Sequence, residues 1–132
     1  MAKFTKQERL CSKVEIDELF SKGKSFLVYP FSVRYAIKEN CDNPQVKILV
    51  SAPKKYNKLS VNRNRVKRII RESYRKNKET IISLAEESNL DISLFISLII
   101  KDIPSFELAD SKIQKILSKI IDIYSSKDEI NN

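Results

Sequence analysis

The residues whose chemistry stands out are the cations of residues 54–78, where eleven Lys and Arg residues accompany one acid, Glu72. The net charge of the whole chain is +8 at pH 7, so the residues outside this run carry a slight negative excess. A charge gathered in one stretch predicts a surface for a polyanion. Between Arg63 and Arg75 Arg outnumbers Lys, and its planar guanidinium holds phosphate through two hydrogen bonds and stacks on bases. Nucleic acid is therefore the favoured ligand.

An amphipathic helix is expected to position these cations, with either Asn62 or Asn64 as its N-cap. A helix face that only keeps a protein soluble mixes both signs of charge to gain i to i+4 pairs, whereas this one contains a single Glu. One narrow apolar stripe, facing the core, is predicted by the helical spacing of Val66, Ile69, Ile70, Ser73 and Tyr74. At 100° per residue the opposite side presents Asn64, Arg68, Arg71, Arg75 and Lys78, with Lys67 and Arg65 on the flanks.

The order R-N-R-x-K-R-x-x-R-E-S-Y-R over residues 63–75, preceded by the pair Lys54 and Lys55, resembles the signature of the protein subunit of bacterial ribonuclease P. The resemblance implies a subunit that binds the catalytic RNA and the 5′ leader of precursor tRNA and assists the endonucleolytic removal of that leader in tRNA 5′ maturation. It implies that the RNA carries the chemistry with Mg²⁺ bound mainly by the RNA. No catalytic side chain, protein metal ligand or organic cofactor is expected in the protein.

The resemblance also assigns a docking face for the catalytic RNA to the start of the basic helix and the loop before it. Arg71 and Arg75 add cations farther along the same helix. Each phosphate that these side chains neutralise would release counterions and make binding depend on salt. The predicted RNA-binding residues are Lys54, Lys55, Lys58, Arg63, Asn64, Arg65, Lys67, Arg68, Arg71 and Arg75.

A second surface, a groove between the first helix and the sheet, is implied for the single-stranded leader. Single strands bind to aromatic platforms flanked by cations, and Arg34 and Lys22 are cations near the candidate aromatic residues. Core packing is the competing role for each aromatic residue, because a small sandwich needs large side chains inside. The candidates for the leader groove are Phe20, Phe31, Val33 and Tyr35.

Helices and strands alternate around the basic helix. Ser12 and Glu15 fit a capping box for a first helix that ends near Lys22, with Gly23 available as a left-handed cap. The end of this helix resembles that of the ribonuclease P protein family in Leu19, Phe20 and Gly23. Family members commonly have a second aromatic residue where this chain has Ile16. Strands are predicted for residues 26–37, for residues 46–52 and for residues 91–100, the last covered on both faces. Pro30 indicates an edge strand, a bulge or a break into two shorter strands. Residues 77–90 are compatible with an extension of the basic helix that Asn89 breaks, without a pattern that marks the boundary. Ser105 or Asp110 is expected to cap a last helix whose apolar stripe includes Tyr124.

This order predicts a single RNA-binding domain over residues 1–132 with an α/β (α+β) sandwich fold. Residues 1–11 are expected to form a flexible arm and residues 125–132 a frayed tail. The family resemblance implies a mixed four-stranded sheet with three helices packed on one side, in the order α-β-β-β-α-β-α. It places the chain in the fold group of the second domain of ribosomal protein S5, with a left-handed crossover through the basic helix.

Composition removes several classes of function. The chain has no His and only Cys11 and Cys41, so Cys/His zinc sites, Ser-His-Asp triads and Cys-His pairs are excluded. Gly23 is the only glycine, which excludes the P-loop and the dinucleotide-binding motif. The N-terminus lacks the apolar core of a secretory signal, and the longest apolar run, residues 94–100, is too short to cross a bilayer. The two cysteines are typical of reduced thiols, so a cytoplasmic protein without a membrane partner is expected.

Three alternative functions can be weighed against this one. A structural RNA-binding protein of ribosomal type would bind RNA without assisting a reaction, and stimulation of leader removal would distinguish the two. A protein-only nuclease is disfavoured, because the sequence offers neither a His general base nor a carboxylate cluster for a two-metal site. A helix-turn-helix DNA-binding protein is disfavoured because a strand precedes the basic helix, so DNA is not an expected partner.

Overall fold

The computed structural model of the chain describes residues 13–40 and 42–131. The sandwich of helices and strands predicted from the sequence is confirmed, but the order is α-β-β-β-α-α-β-α. The strands are β1 (Lys24–Val28), β2 (Phe31–Lys38), β3 (Gln45–Ser51) and β4 (Asp91–Leu98). The helices are α1 (Lys13–Lys22), α2 (Ser60–Asn77), α3 (Glu79–Ser88) and α4 (Phe106–Asn131).

The expected count of three helices is corrected to four, because a single residue, Lys78, separates α2 from α3. The Asn77 side-chain amide donates to the carbonyl oxygen of Ser73 at 2.8 Å, and such side-chain bonds compete with the backbone bonds of a helix. Lys78 keeps helical angles (φ −76°, ψ −16°), so a second helix starts at once. It ends at Asn89 in the left-handed conformation (φ 54°, ψ 52°), as the sequence predicts.

The sheet has the strand order β1-β2-β4-β3. β1 pairs with β2 and β2 with β4 in antiparallel fashion, whereas β3 and β4 are parallel neighbours. The predicted break at Pro30 is confirmed, because the turn at Tyr29 and Pro30 separates β1 from β2. The connection from β3 to β4 runs through α2 and α3, and its left-handedness stays a prediction.

The two faces of the sheet carry different helices. One face of the sheet, with Val33, Ile48 and Leu94, is buried in the main core together with residues of α2, α3 and α4. The opposite face lies against α1, where the Phe20 ring contacts the Phe95 ring at a centroid distance of 5.0 Å. The expectation that all helices pack on one side of the sheet is therefore wrong, and side chains that alternate along one strand meet different helices.

Gly23 ends α1 without the left-handed conformation expected for it, because no glycine has a positive φ. The reason for glycine here is space. A Cβ atom built on Gly23 would lie 2.2 Å from the carbonyl oxygen of Leu19 and 2.9 Å from that of Tyr35. Both contacts are with backbone atoms, so α1 can approach β2 this closely only without a side chain at the junction.

We expect Gly23→Ala to lower the free energy of unfolding by about 2 kcal/mol or more, because the added methyl group forces backbone atoms apart. Urea denaturation of the full chain measures this loss. Ser25→Ala, an exposed position two residues along, is the matched control and should change stability by less than about 0.5 kcal/mol. Equal midpoints for Gly23→Ala and the natural chain would contradict this explanation.

The helix caps agree with the sequence in part. Neither Asn62 nor Asn64 caps α2, because the helix begins earlier, with Leu59 at the N-cap position and no side-chain hydrogen bond there. At the start of α4 the predicted cap is confirmed, since the Leu108 N–H donates to the Ser105 Oγ at 3.2 Å. Ser12 and the arm of residues 1–11 lie outside the described residues. Helix α4 is described as far as Asn131, and fraying of residues 125–132 stays a prediction.

Candidate nucleic-acid interface

The apolar stripe of α2 fixes the direction in which its cations point. Val66, Ile70 and Tyr74 are essentially fully buried in the core, and Ile69 packs against it partly exposed. This confirms the stripe predicted from the helical spacing. Because the stripe is narrow, most of the circumference of α2 is left to polar side chains.

A buried polar cluster around Asp110 joins α2 to α4. The Asp110 Oδ1 accepts from the Ser73 Oγ and from the Asn77 amide, both at 2.8 Å. The Asp110 Oδ2 accepts from the Gln114 amide at 3.0 Å and lies 3.4 Å from the Lys76 Nζ. Burial disfavours the charged carboxylate, but these donors from Ser73, Asn77 and Lys76 outweigh burial and hold the pKa of Asp110 below its ordinary value. The carboxylate therefore stays ionised and locks the two helices together.

The outward face of α2 presents the centre of the predicted docking face. Asn64, Arg65 and Arg68 are exposed and Lys67 is partly exposed. Within the described residues, no acidic side chain forms an ion pair with Arg65, Lys67 or Arg68. The loop before α2 adds the exposed side chains of Lys54, Lys55 and Lys58. These seven residues, called the basic face below, are brought to one region by the loop and the first turns of α2.

The other cations of the run have interactions within the protein. Arg63 donates from its Nη1 to the carbonyl oxygens of Lys58 at 2.8 Å and of Asn57 at 3.3 Å, so it anchors the loop to α2. Arg75 forms an exposed ion pair with Glu72 at 3.1 Å. Lys78 is buried, with 8 % of its surface exposed, which corrects its predicted place on the outward side. Arg71 lies partly exposed on α2, and its RNA-binding role, like those of Arg63 and Arg75, stays a prediction.

The surface between α1 and the sheet holds one of the four predicted leader residues. Phe20 is 44 % exposed, and its ring packs edge-on against Phe95. The Arg34 guanidinium lies 5.4 Å from the centre of the Phe20 ring and donates to the Phe20 carbonyl oxygen at 2.9 Å. The ion pair between the Lys47 Nζ and the Glu15 Oε1, 2.7 Å apart, holds α1 over the sheet. An exposed ring with a cation fixed beside it suits a stacked base.

The other three predicted leader residues lie elsewhere. Phe31 and Val33 have no exposed surface and Tyr35 has 8 %, because all three point to the sheet face that α2, α3 and α4 cover. The prediction that Phe31 and Val33 line a groove beside α1 is therefore corrected, whereas Tyr35 reaches a cavity at the end of α1. Strand alternation placed them on one face, but the sequence did not indicate that α1 lies on the opposite one.

Tyr35 instead lines a cavity of 290 Å³ at the edge of β2, beyond the point where β1 begins. Lys22 and Lys24 line one part of the cavity and Tyr124 of α4 another. Burial raises the pKa of Tyr35, so its phenol stays a neutral hydrogen-bonding group. The cavity combines aromatic and cationic side chains with the carboxylates of Glu18 and Glu39, close to the end of α1.

Two residues of these surfaces were missed from the sequence. The sequence predicts Phe95 in a strand covered on both faces, although its alternation with the buried Leu94 and Ile96 is the signal for the outer face. The apolar stripe of α4 predicts a core position for Tyr124, yet this residue lies near the end of the stripe and reaches the cavity. A tyrosine at the end of an apolar stripe is a signal for a half-exposed ring.

The family model described as Ribonuclease P matches residues 4–121. The ribonuclease P protein component of Porphyromonas gingivalis is 34 % identical over 116 residues, which cover 88 % of this chain and 85 % of that protein. None of the helices in residues 13–40 and 42–131 combines the length and apolar character needed to span a bilayer.

Solved structures with the same fold include two bacterial proteins. The ribonuclease P protein of Thermotoga maritima has a TM-score of 0.62 at 22 % identity, covering 85 % of this chain and 96 % of that one. The ribonuclease P protein of Staphylococcus aureus has a TM-score of 0.58 at 23 % identity, covering 90 % of this chain and 96 % of that one. The mixed four-stranded sheet and its helices are thus an architecture already seen in solved structures.

Proposed function

Because this chain belongs to the ribonuclease P protein family, we propose that its basic face binds the catalytic RNA and that its α1 surface binds the leader of precursor tRNA. The chain is the protein component of ribonuclease P, an endoribonuclease of tRNA 5′ processing, and it associates with the RNA subunit of that enzyme.

The observation that carries the proposal is the absence of acidic partners at the centre of the basic face. Arg65, Lys67 and Arg68 project from a helix whose other side is locked into the core, and no described carboxylate neutralises them. Like charges repel at this spacing, so the arrangement is costly unless a polyanion lies against it. A folded RNA supplies phosphates at the required density.

The leader is proposed to cross the α1 surface with one base stacked on Phe20. Arg34 beside that ring supplies a cation for the adjoining phosphate. The cavity of Tyr35 and Tyr124, with Lys22 and Lys24 at its edge, would take a further nucleotide. Phe31 and Val33 would then support the sheet from within and make no contact with RNA.

Replacing the ring of Phe20 by an aliphatic side chain in Phe20→Leu is expected to weaken binding of a long-leader precursor tRNA about tenfold, since stacking of one base contributes about 1–3 kcal/mol. Binding to the reconstituted enzyme measures this loss. A precursor with a one-nucleotide leader should bind the variant and the natural protein equally. Tyr29→Leu, at an exposed ring in the β1–β2 turn, is the matched control. Equal losses with both precursors would show that Phe20 acts on stability and not on the leader.

We further propose that no protein side chain carries out bond cleavage. Among residues 13–40 and 42–131, no three His, Cys, Asp or Glu side chains gather into a group that could hold a metal ion. We propose that the Mg²⁺ implied by the family resemblance is bound by the RNA and that no step of cleavage uses a metal ion bound by the protein. The proposed location is the cytoplasm, where bacterial precursor tRNA is made.

Cleavage of precursor tRNA by the protein alone, by the RNA alone and by both together tests this division of labour. The expected result is no cleavage by protein alone and stimulation of the RNA by the protein at low Mg²⁺. Cleavage by RNA-free protein would overturn the proposal. Failure of the protein to stimulate the RNA would favour a purely structural role.

A further inference from the structure

A second cavity lies between α2 and the first turn of α4, away from the leader surface. Its volume is 520 Å³, within the range of small-ligand sites. Arg65, Arg68 and Glu72 line it from α2, and Ser105 and Phe106 line it from the other side. The cavity adjoins the basic face, because Arg65 and Arg68 belong to both.

The side chains around this cavity carry both positive and negative charges. Two guanidinium groups without a described carboxylate partner stand beside one carboxylate, that of Glu72. The ion pair of Glu72 with Arg75 occupies only Oε2, at 3.1 Å, and about half of the Glu72 side chain is exposed. Exposed pairs of this kind are weak, so Glu72 can accept from a ligand.

Phe106 gives the cavity an apolar wall. Its ring is 37 % exposed although it opens a helix held firmly to α2. The ring follows Ser105, which caps α4, and the Lys76 Nζ, which also contacts Asp110, lies 5.8 Å from the ring centre. A partly exposed ring beside two guanidinium groups is a stacking platform for a base.

Guanine is the base that complements this set of groups. Its N7 and O6 accept two hydrogen bonds from one Arg. On its Watson–Crick edge, N1–H and the N2 amino group donate in parallel and match the two oxygens of a carboxylate such as Glu72. The second Arg then remains for the phosphate of the same nucleotide. Adenine offers no such pair of adjacent donors to a carboxylate.

We propose that this cavity binds one unstacked guanine nucleotide of the catalytic RNA, with its base stacked on Phe106, its Watson–Crick edge on Glu72, and its acceptors and phosphate on Arg65 and Arg68. This inference rests on the proposed function of the basic face and adds a base-specific contact to it. The contact would set the register of the protein on the RNA, because phosphate contacts alone carry no sequence information.

The chain contains no Trp, so Phe106→Trp introduces a single tryptophan at the stacking position, whose emission can be excited separately from that of the five tyrosines. In the full chain we expect its fluorescence to be quenched by the catalytic RNA and by a single-stranded pentaribonucleotide with guanine at its centre among uridines. The same oligonucleotide with adenine at the centre should bind about fivefold or more weakly, the lower end of discrimination by one bidentate pair. Guanosine 5′-monophosphate alone should bind more weakly than the guanine oligonucleotide.

Two variants test the named groups against a matched control. In the Phe106→Trp chain, Glu72→Gln should abolish the preference for guanine over adenine, because an amide cannot accept from both donors. In the natural chain, Phe106→Leu should weaken binding of the guanine oligonucleotide about tenfold. Tyr29→Leu removes an exposed ring from the β1–β2 turn and should leave the guanine preference intact.

Three results would overturn the inference: no quenching by the catalytic RNA, equal affinity for the guanine and adenine oligonucleotides, or a guanine preference that survives Glu72→Gln. Free guanosine 5′-monophosphate binding as tightly as the oligonucleotide would overturn the assignment to RNA. These results test the guanine site separately from the proposed function of the basic face. The proposed function itself would fail if replacing both Arg65 and Arg68 left the affinity for the catalytic RNA unchanged.

Discussion

Replacing Arg65 and Arg68 together by alanine is expected to weaken binding of the full chain to the catalytic RNA about a hundredfold at low salt. Each guanidinium that holds a phosphate through charge-assisted hydrogen bonds contributes on the order of 1.5 kcal/mol, or about tenfold. Both side chains project from the outer side of α2, while the stripe around Val66 and Ile70 remains buried. The urea midpoint should therefore change little, and cleavage at low Mg²⁺ should fall with RNA affinity.

The matched control removes the same charge from another surface. Lys115 and Lys119 are exposed on α4, and their double replacement by alanine should leave RNA affinity within about threefold of that of the natural chain, because distant exposed charges are largely screened. Equal losses in the two double variants would mean that net charge, and not the basic face, determines binding. Unchanged affinity of the Arg variant at physiological salt would contradict the assignment of the face.

Asp110→Ala is expected to lower the free energy of unfolding by about 3 kcal/mol, the larger of the two stability effects predicted. The substitution leaves the fully buried Ser73 hydroxyl without its acceptor, at about 1–3 kcal/mol for an unsatisfied group. It also removes one hydrogen bond of the Asn77 amide, which keeps its bond to the Ser73 carbonyl oxygen. Urea unfolding of the full chain measures the loss. Asp122→Ala, at an exposed position on the same helix, should cost less than about 0.5 kcal/mol. Equal effects at the two positions would contradict a role for the cluster.

The same carboxylate predicts a pH dependence. The pKa of Asp110 is lowered in the folded protein, so its contribution to stability is complete above the unfolded pKa of about 4 and is lost as the pH falls through the lowered value. The stability difference between the natural chain and Asp110→Asn should therefore be constant above about pH 5 and narrow below about pH 4. If the stability difference between the two chains grew as the pH fell, the pKa of Asp110 would have to be raised, and not lowered, in the folded protein.

The properties of α2 could be predicted because they follow from one helical period. The spacing of Val66, Ile70 and Tyr74 determines which side is buried, and the positions of Arg65 and Arg68 follow from the same wheel. The break at Lys78 does not follow from it. That break depends on the bond from Asn77 to Ser73 and on the contact of both residues with Asp110.

The leader surface was harder to predict, because alternation along a strand separates two faces without naming the helix that covers each. Phe31 and Val33 were correctly placed on one side of β2, but α1 lies on the other. The long side chain of Arg63 reaches back to carbonyl oxygens of the preceding loop. Contacts of this kind depend on tertiary geometry. From its charge alone, Arg63 is predicted to bind RNA like the other cations of the run.

The most direct test of the basic face is the salt dependence of binding between the full chain and the catalytic RNA. With about six phosphate contacts, the logarithm of the affinity should fall with the logarithm of the salt concentration at a slope of about −4 to −5. The Arg65→Ala, Arg68→Ala chain should give a slope of about −3, because each lost phosphate contact removes about one unit. The Lys115→Ala, Lys119→Ala chain should keep the natural slope. Identical slopes for the natural chain and the Arg variant would contradict the claim that this face of α2 holds the RNA.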